Sequence, residues 1–151
     1  MNIEVKSSDE MIILGQKVGR LLRGGDVIEL VGDMGAGKTT LVKGIASGLD
    51  IGEPIQSPTF TVSRVYDGRD DIRLSHYDFY RLAEAGIMSD EIDEMAHDGQ
   101  TITVIEWGEA VSDVLPIDRL TIRIIADGEN TRNVEFRTGG DRSGELADKI
   151  T

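Results

Sequence analysis

Eight consecutive residues carry the strongest chemical signal in the chain: Gly32-Asp33-Met34-Gly35-Ala36-Gly37-Lys38-Thr39. They fit the pattern G-x-x-x-x-G-K-[ST], in which glycines let the backbone curl its N–H groups around an anion. The pattern needs a strand before it and a helix after it, because the helix start turns its positive end toward the same anion. Both are expected. Val27 to Val31 is a short apolar run suited to a buried strand, and Lys38 to Leu49 places Leu41, Ile45 and Leu49 on one helical stripe. Asp33, Met34, Gly35, Ala36, Gly37 and Thr40 are then candidates to contact a nucleotide. Lys38 would reach its β- and γ-phosphates. Thr39 would offer its hydroxyl to magnesium, an ion that keeps most of its water and takes few protein ligands.

Such a loop works with a further carboxylate at the end of a buried strand. Two segments end in one: 101–106 in Glu106 and 72–78 in Asp78. One faces the metal, and the other orients the attacking water or senses the γ-phosphate; the pattern leaves open which. Trp107 follows Glu106 and is either core or a wall of the nucleotide site. Ser57-Pro58-Thr59 lies between the loop's helix and the next strand, as either a proline-stabilised turn or a switch that orders on nucleoside triphosphate. The Asn-Lys-x-Asp signature of guanine recognition is absent, so ATP is expected over GTP. His76 and His97 are read as structural or surface residues.

The elements that must position these residues follow from pattern. Ile3 to Val5 reads as a strand. Ser7 and Glu10 have capping-box spacing, so a helix is expected from Ser8, with Met11, Leu14, Val18, Leu21 and Leu22 at helical spacing and Gly24-Gly25 ending it. Residues 50–58 read as a loop. Phe60 to Tyr66 and Ile72 to Tyr77 read as strands around an Asp67-Gly68 turn. Ala83 to Asp98 reads as acidic and partly helical, and Thr101 to Glu106 as a β-branched strand. Arg119 to Ile125 and Thr131 to Arg137 flank residues 127–130 as a hairpin, and the tail from Arg142 reads as a short helix. The expected fold is α/β: a P-loop NTPase-like mixed sheet flanked by helices, with a C-terminal antiparallel hairpin. One domain over 1–151 is expected, with a core at about 3–137 and a tail at 138–151.

Composition narrows the partners. A chain of 151 residues suits one domain, and 39% apolar with 29% charged residues suits a globular one. The net charge of −12 argues against direct, broad nucleic-acid binding. No cysteine means no disulfide, thiol catalysis or cysteine-based zinc site. No apolar run approaches the ~20 residues that cross a bilayer. The opening Met1-Asn2-Ile3-Glu4 lacks the plan of a signal peptide, so a cytoplasmic location is expected. Residues 67–98 carry −7 of the charge, as a solvated face or as a dock for a basic partner surface. Of eighteen glycines, Gly32, Gly35 and Gly37 serve the loop and Gly24, Gly25 and Gly128 mark turns; pattern alone does not account for the others.

Four blocks in order resemble one family: residues 32–41, Ser57-Pro58-Thr59-Phe60-Thr61, His76-Tyr77-Asp78-Phe79-Tyr80-Arg81-Leu82, and Ile105-Glu106-Trp107. The chain resembles the TsaE (YjeE) family over roughly residues 3–137. The resemblance implies a weak ATPase, using ATP and magnesium, that works with the TsaB and TsaD heterodimer in tRNA threonylcarbamoyladenosine synthesis and meets tRNA only through them. It implies Lys38 as the phosphate lysine, Thr39 and Glu106 as magnesium-associated groups, Asp78 as the catalytic aspartate, Ser57 to Thr59 as a switch-like segment and Trp107 as the tryptophan near the nucleotide. Ser8 to Glu10, and Gly128 to Arg132, are implied at the base and ribose edge, with Glu10 and Arg132 as the named candidates. Two other readings stand beside this one. A small-molecule P-loop kinase would need a lid and an acceptor pocket, yet residues 67–98 hold only Arg69, Arg73 and Arg81 among ten acids. A nucleotide-sensing binding module would dock partners in one nucleotide state, with incidental hydrolysis.

Overall fold

The computed structural model describes residues 1–33, 35–56, 63–79 and 89–151. Seven strands form one sheet: β1 (Asn2–Val5), β2 (Val27–Val31), β3 (Ser63–Asp67), β4 (Arg73–Asp78), β5 (Thr101–Glu106), β6 (Leu120–Ala126) and β7 (Arg132–Arg137). Their spatial order is β1-β7-β6-β2-β5-β4-β3. The four central strands, β6, β2, β5 and β4, are mutually parallel, while β7 and β3 run antiparallel to their neighbours. The carboxyl ends of β2, β4, β5 and β6 therefore share one edge, which is where open α/β sheets bind ligands.

Helices α1 (Ser8–Leu21), α2 (Lys38–Gly48) and α4 (Asp141–Ile150) cover one face, where the main apolar cluster includes Val18, Ile28, Leu41, Ile45, Val104 and Ile122. Helix α3 (Ser89–Ala96) and the segment after β5 cover part of the other, around Tyr77, Phe79, Ile92, Ile105, Val111 and Leu115. The central β5 is buried at every position, which is why its sequence runs apolar and β-branched instead of alternating.

The expected capping signal operates at α1: Ser7 Oγ accepts from Glu10 N at 3.1 Å. The Glu10 carboxylate reaches back one residue further than the capping box implies, to the Lys6 N–H. The 127–130 turn closes the β6–β7 hairpin, with Asp127 N donating to Thr131 O at 2.9 Å. Residues 60–62 of the strand expected at Phe60 to Tyr66 lie outside the described residues, and β3 runs over Ser63–Asp67, one residue into the expected turn. Of the helix expected within Ala83 to Asp98, the described part is Ser89–Ala96.

Two features were not legible as pattern. Gly15 and Gly19 on α1 face Gly44 and Gly48 on α2, so near that a Cβ on Gly15 would stand 2.5 Å from Leu41 O and 2.8 Å from Gly44 Cα. Close backbone packing, not turn geometry, thus accounts for four of the glycines. The segment 138–151, set apart as a tail on sequence, sends Leu146, Ala147 and Ile150 into the main cluster. Arg142 anchors it by a two-point ion pair to buried Asp26, at 2.9 and 2.8 Å. Asp118 caps α4 from a distance, its two carboxylate oxygens accepting from Arg142 N and Ser143 N.

Candidate functional site

The glycine-rich loop lies between the carboxyl end of β2 and the start of α2. Gly35 and Gly37 hold φ values of 79° and 115°, the left-handed region in which side chains are strained. The start of α2 differs from the other helix starts. The first turns of α1, α3 and α4 all carry acids, whereas that of α2 carries none, and its N-cap Gly37 makes no side-chain cap. A helix start with no side-chain cap among the described residues, together with its positive dipole end, suits an external anion.

Lys38 is the first residue of α2, and only 6% of its surface is exposed. Its Nζ donates to Gly32 O at 2.6 Å, lies 4.0 Å from Glu106 Oε1 and sits 4.2 Å above the Trp107 ring centre. Glu106 ends β5 and is 3% exposed. Asp78 ends β4 and is its register partner, so the two buried carboxylates project side by side from the same face. Trp107 adopts φ 58° and ψ 47°, a left-handed conformation that is an outlier for so large a side chain. That reversal turns the chain directly after Glu106 and lays the indole over the Lys38 ammonium, a cation–π contact.

Two cavities meet at the loop. The larger, about 420 Å³, is lined by Asp33, Gly35, Lys38, Trp107, Glu109 and Arg123 among others. The smaller, about 190 Å³, lies on the other side of Gly35–Gly37, between the α1 start (Ser7, Ser8, Met11), Thr40 and the hairpin residues Glu129, Asn130 and Arg132. The structure thus brings together Asp33, Gly35, Ala36, Gly37, Lys38, Thr40, Asp78, Glu106, Trp107 and Arg132, with Thr39 beside Lys38 at the same helix start. Arg132 faces inward to the protein: its guanidinium donates to Ala36 O at 2.9 Å and to hairpin carbonyls, which ties the hairpin to the loop. Glu10 does not line either cavity; its carboxylate is engaged with Lys6 N. Met34, Ser57 and Thr59 lie outside the described residues.

One residue of the site was missed. His76, read as structural or surface, is fully buried with its Nε2 2.6 Å from Glu106 Oε2. The signal was present in the alternation of β4: residue 76 shares a face with residue 78, and so with Glu106 across the register. Nearby, burial in apolar surroundings and the Glu91 carboxylate raise the Tyr77 phenol to about 12, so it stays protonated and ties β4 to α3.

The donor set fits a polyphosphate with a hard divalent cation. Left-handed glycines, uncapped amides and a buried lysine suit the anion, while the Thr39 hydroxyl and the Glu106 and Asp78 carboxylates are oxygen donors of the kind magnesium takes. Fold and loop together define a P-loop NTPase-like α/β protein. The sequence model of the family described as "Threonylcarbamoyl adenosine biosynthesis protein TsaE" matches residues 5–134. A Treponema pallidum protein named tRNA threonylcarbamoyladenosine biosynthesis protein TsaE is 46% identical over 82% of this chain and 91% of its own length. A Bacillus subtilis protein of the same name is 39% identical over 84% of this chain and 78% of its own. A crystal structure of Bacillus subtilis YdiB superposes with a TM-score of 0.83 at 32% identity, covering 99% of this chain and 93% of that one. The chain belongs to the TsaE family of tRNA threonylcarbamoyladenosine biosynthesis proteins.

Proposed function

We propose that this protein binds and hydrolyses ATP with magnesium, and that it does so in the cytoplasm as a partner of TsaB and TsaD during tRNA threonylcarbamoyladenosine synthesis. The observation that carries the reading is the start of α2: free of acids and of side-chain caps, headed by a buried lysine, and flanked at one sheet edge by two buried carboxylates. In this reading Lys38 and the loop amides offset the charge that builds on the phosphates. Thr39 and Glu106 would hold magnesium, which would supply positive charge against the phosphates. Asp78 orients the water that attacks the γ-phosphorus as the bond to the bridging oxygen breaks, releasing ADP and phosphate. The excess of acids leaves contact with tRNA to the partners.

Two measurements test this. Lys38→Ala loses ATP binding or turnover; wild-type turnover in that variant refutes the assignment. Affinity capture with TsaB and TsaD, with and without ATP, recovers this chain; no association in either condition leaves a P-loop ATPase without its pathway.

A further inference from the structure

The strands that deliver Glu106 and Asp78 deliver a third buried polar group whose only described polar contact is with one of them. His76 lies on β4 opposite Val104, two register steps from the Asp78–Glu106 pair and so on the same face, and no part of it is exposed. Its Nε2 meets Glu106 Oε2 at 2.6 Å, whereas its Nδ1 is buried with no hydrogen-bond partner among the described residues. The carboxylate accepts, so Nε2 carries the hydrogen. At Nδ1 a bare lone pair is the less costly arrangement, because an N–H there would find no acceptor among the described residues. As a packing element this imidazole is poor, since an aliphatic side chain of similar volume would fill the space with no polar atom left over. What it supplies is direction to Glu106.

That direction has a consequence at Lys38. A carboxylate free to swing would close on the ammonium to the ~2.7–2.9 Å typical of charge-assisted hydrogen bonds. Glu106 Oε1 instead stands off at 4.0 Å while Oε2 is tied to His76. We propose that His76 is a positioning residue: its Nε2–H holds Glu106 back from Lys38, which leaves the ammonium available to phosphate and one carboxylate oxygen available to magnesium. The inference rests on the ATP and magnesium reading above and adds a residue to it.

The test uses the full chain with His76→Leu, which removes the donor, and His76→Gln, whose amide N–H restores one. Nucleotide binding is followed by Trp107 fluorescence across magnesium concentrations, with the thermal midpoint measured alongside. In His76→Leu the magnesium concentration for half-maximal binding rises roughly 10–100-fold, the usual cost of losing a group that orients a metal ligand. The midpoint stays within a few degrees, and His76→Gln recovers most of the loss. A Leu variant with the wild-type magnesium dependence overturns the proposal, and so does a Gln variant impaired as much as Leu. Nitrogen-15 spectroscopy of the wild-type imidazole needs neither nucleotide nor a substitution at His76: it reads hydrogen on Nε2, and hydrogen on Nδ1 alone overturns the proposal. A wild-type protein that ignores nucleotide defeats the ATP reading, and the nitrogen spectrum then decides the His76–Glu106 contact by itself.

Discussion

Gly44→Ala adds one methyl group where α1 and α2 cross. An ideal Cβ at that position would stand 2.8 Å from Gly15 Cα, 3.1 Å from the Ile12 carbonyl carbon, and closer still to the Ile12 oxygen. All three are backbone atoms, so no rotamer change relieves the contact and the helices must separate. Overpacking of this kind costs about 3 kcal/mol at the upper end of its usual range, and the better helix propensity of alanine offsets about 1 kcal/mol, leaving about 2 kcal/mol of net destabilisation. For a chain of this size that lowers the thermal midpoint by roughly 4–8 °C. Gly144→Ala is the internal control. Gly144 sits in α4 with nothing within 4 Å of its would-be Cβ, so the same change stabilises by about 0.5–1 kcal/mol. Thermal and urea unfolding of the two variants should move in opposite directions. A Gly44→Ala midpoint at or above wild type refutes the account of the helix crossing.

Other outcomes follow from single contacts. Arg142→Leu strips the cation from Asp26, which is 5% exposed, and costs about 3–5 kcal/mol in urea unfolding; adding Asp26→Leu recovers part of that loss. Asp118→Ala removes the cap of α4 and costs about 1 kcal/mol at neutral pH. The Ser143 hydroxyl and backbone N–H and the neighbouring Arg142 hold the Asp118 carboxyl below the usual aspartate range. Its contribution is therefore present above about pH 4 and fades as pH falls below that, so wild type and Asp118→Ala converge in acid; a constant gap measured by unfolding from neutral pH down to pH 2 refutes this. Arg132→Met frees Ala36 O from the hairpin, and amide exchange at Gly35–Lys38 speeds up while β6 stays protected. Asp78→Asn lowers ATP turnover far more than ATP binding, and equal losses in both remove its assigned role with water.

Much of this architecture was open to local reading. The loop motif declared itself because phosphate cradles need glycines at set positions, and the strand and helix on either side declared themselves by apolar run and stripe. β5 was expected at its observed limits, since a fully buried strand has an unbroken apolar pattern. Glu106 and Asp78 were legible as strand-end acids. What escaped was contact between distant elements. His76 was set aside because a lone histidine has no pattern, and its partner lies thirty residues away on another strand. Four glycines had no account because a close helix crossing leaves no trace in either helix read alone.

By itself, then, the sequence determined the parts whose physics is local: a phosphate-shaped loop, a helix start without acids, and two strands ending in carboxylates. Tertiary structure alone decided how they meet. The order β2-β5-β4 sets Glu106 between the phosphate loop and Asp78, and the parallel register brings His76 to the carboxylate it orients. Arg142 and Asp26 meet across 116 residues, and Trp107 turns left-handed to cover Lys38. Strand order and register are settled by which buried faces pack together over the whole chain, and no window of sequence contains that sum.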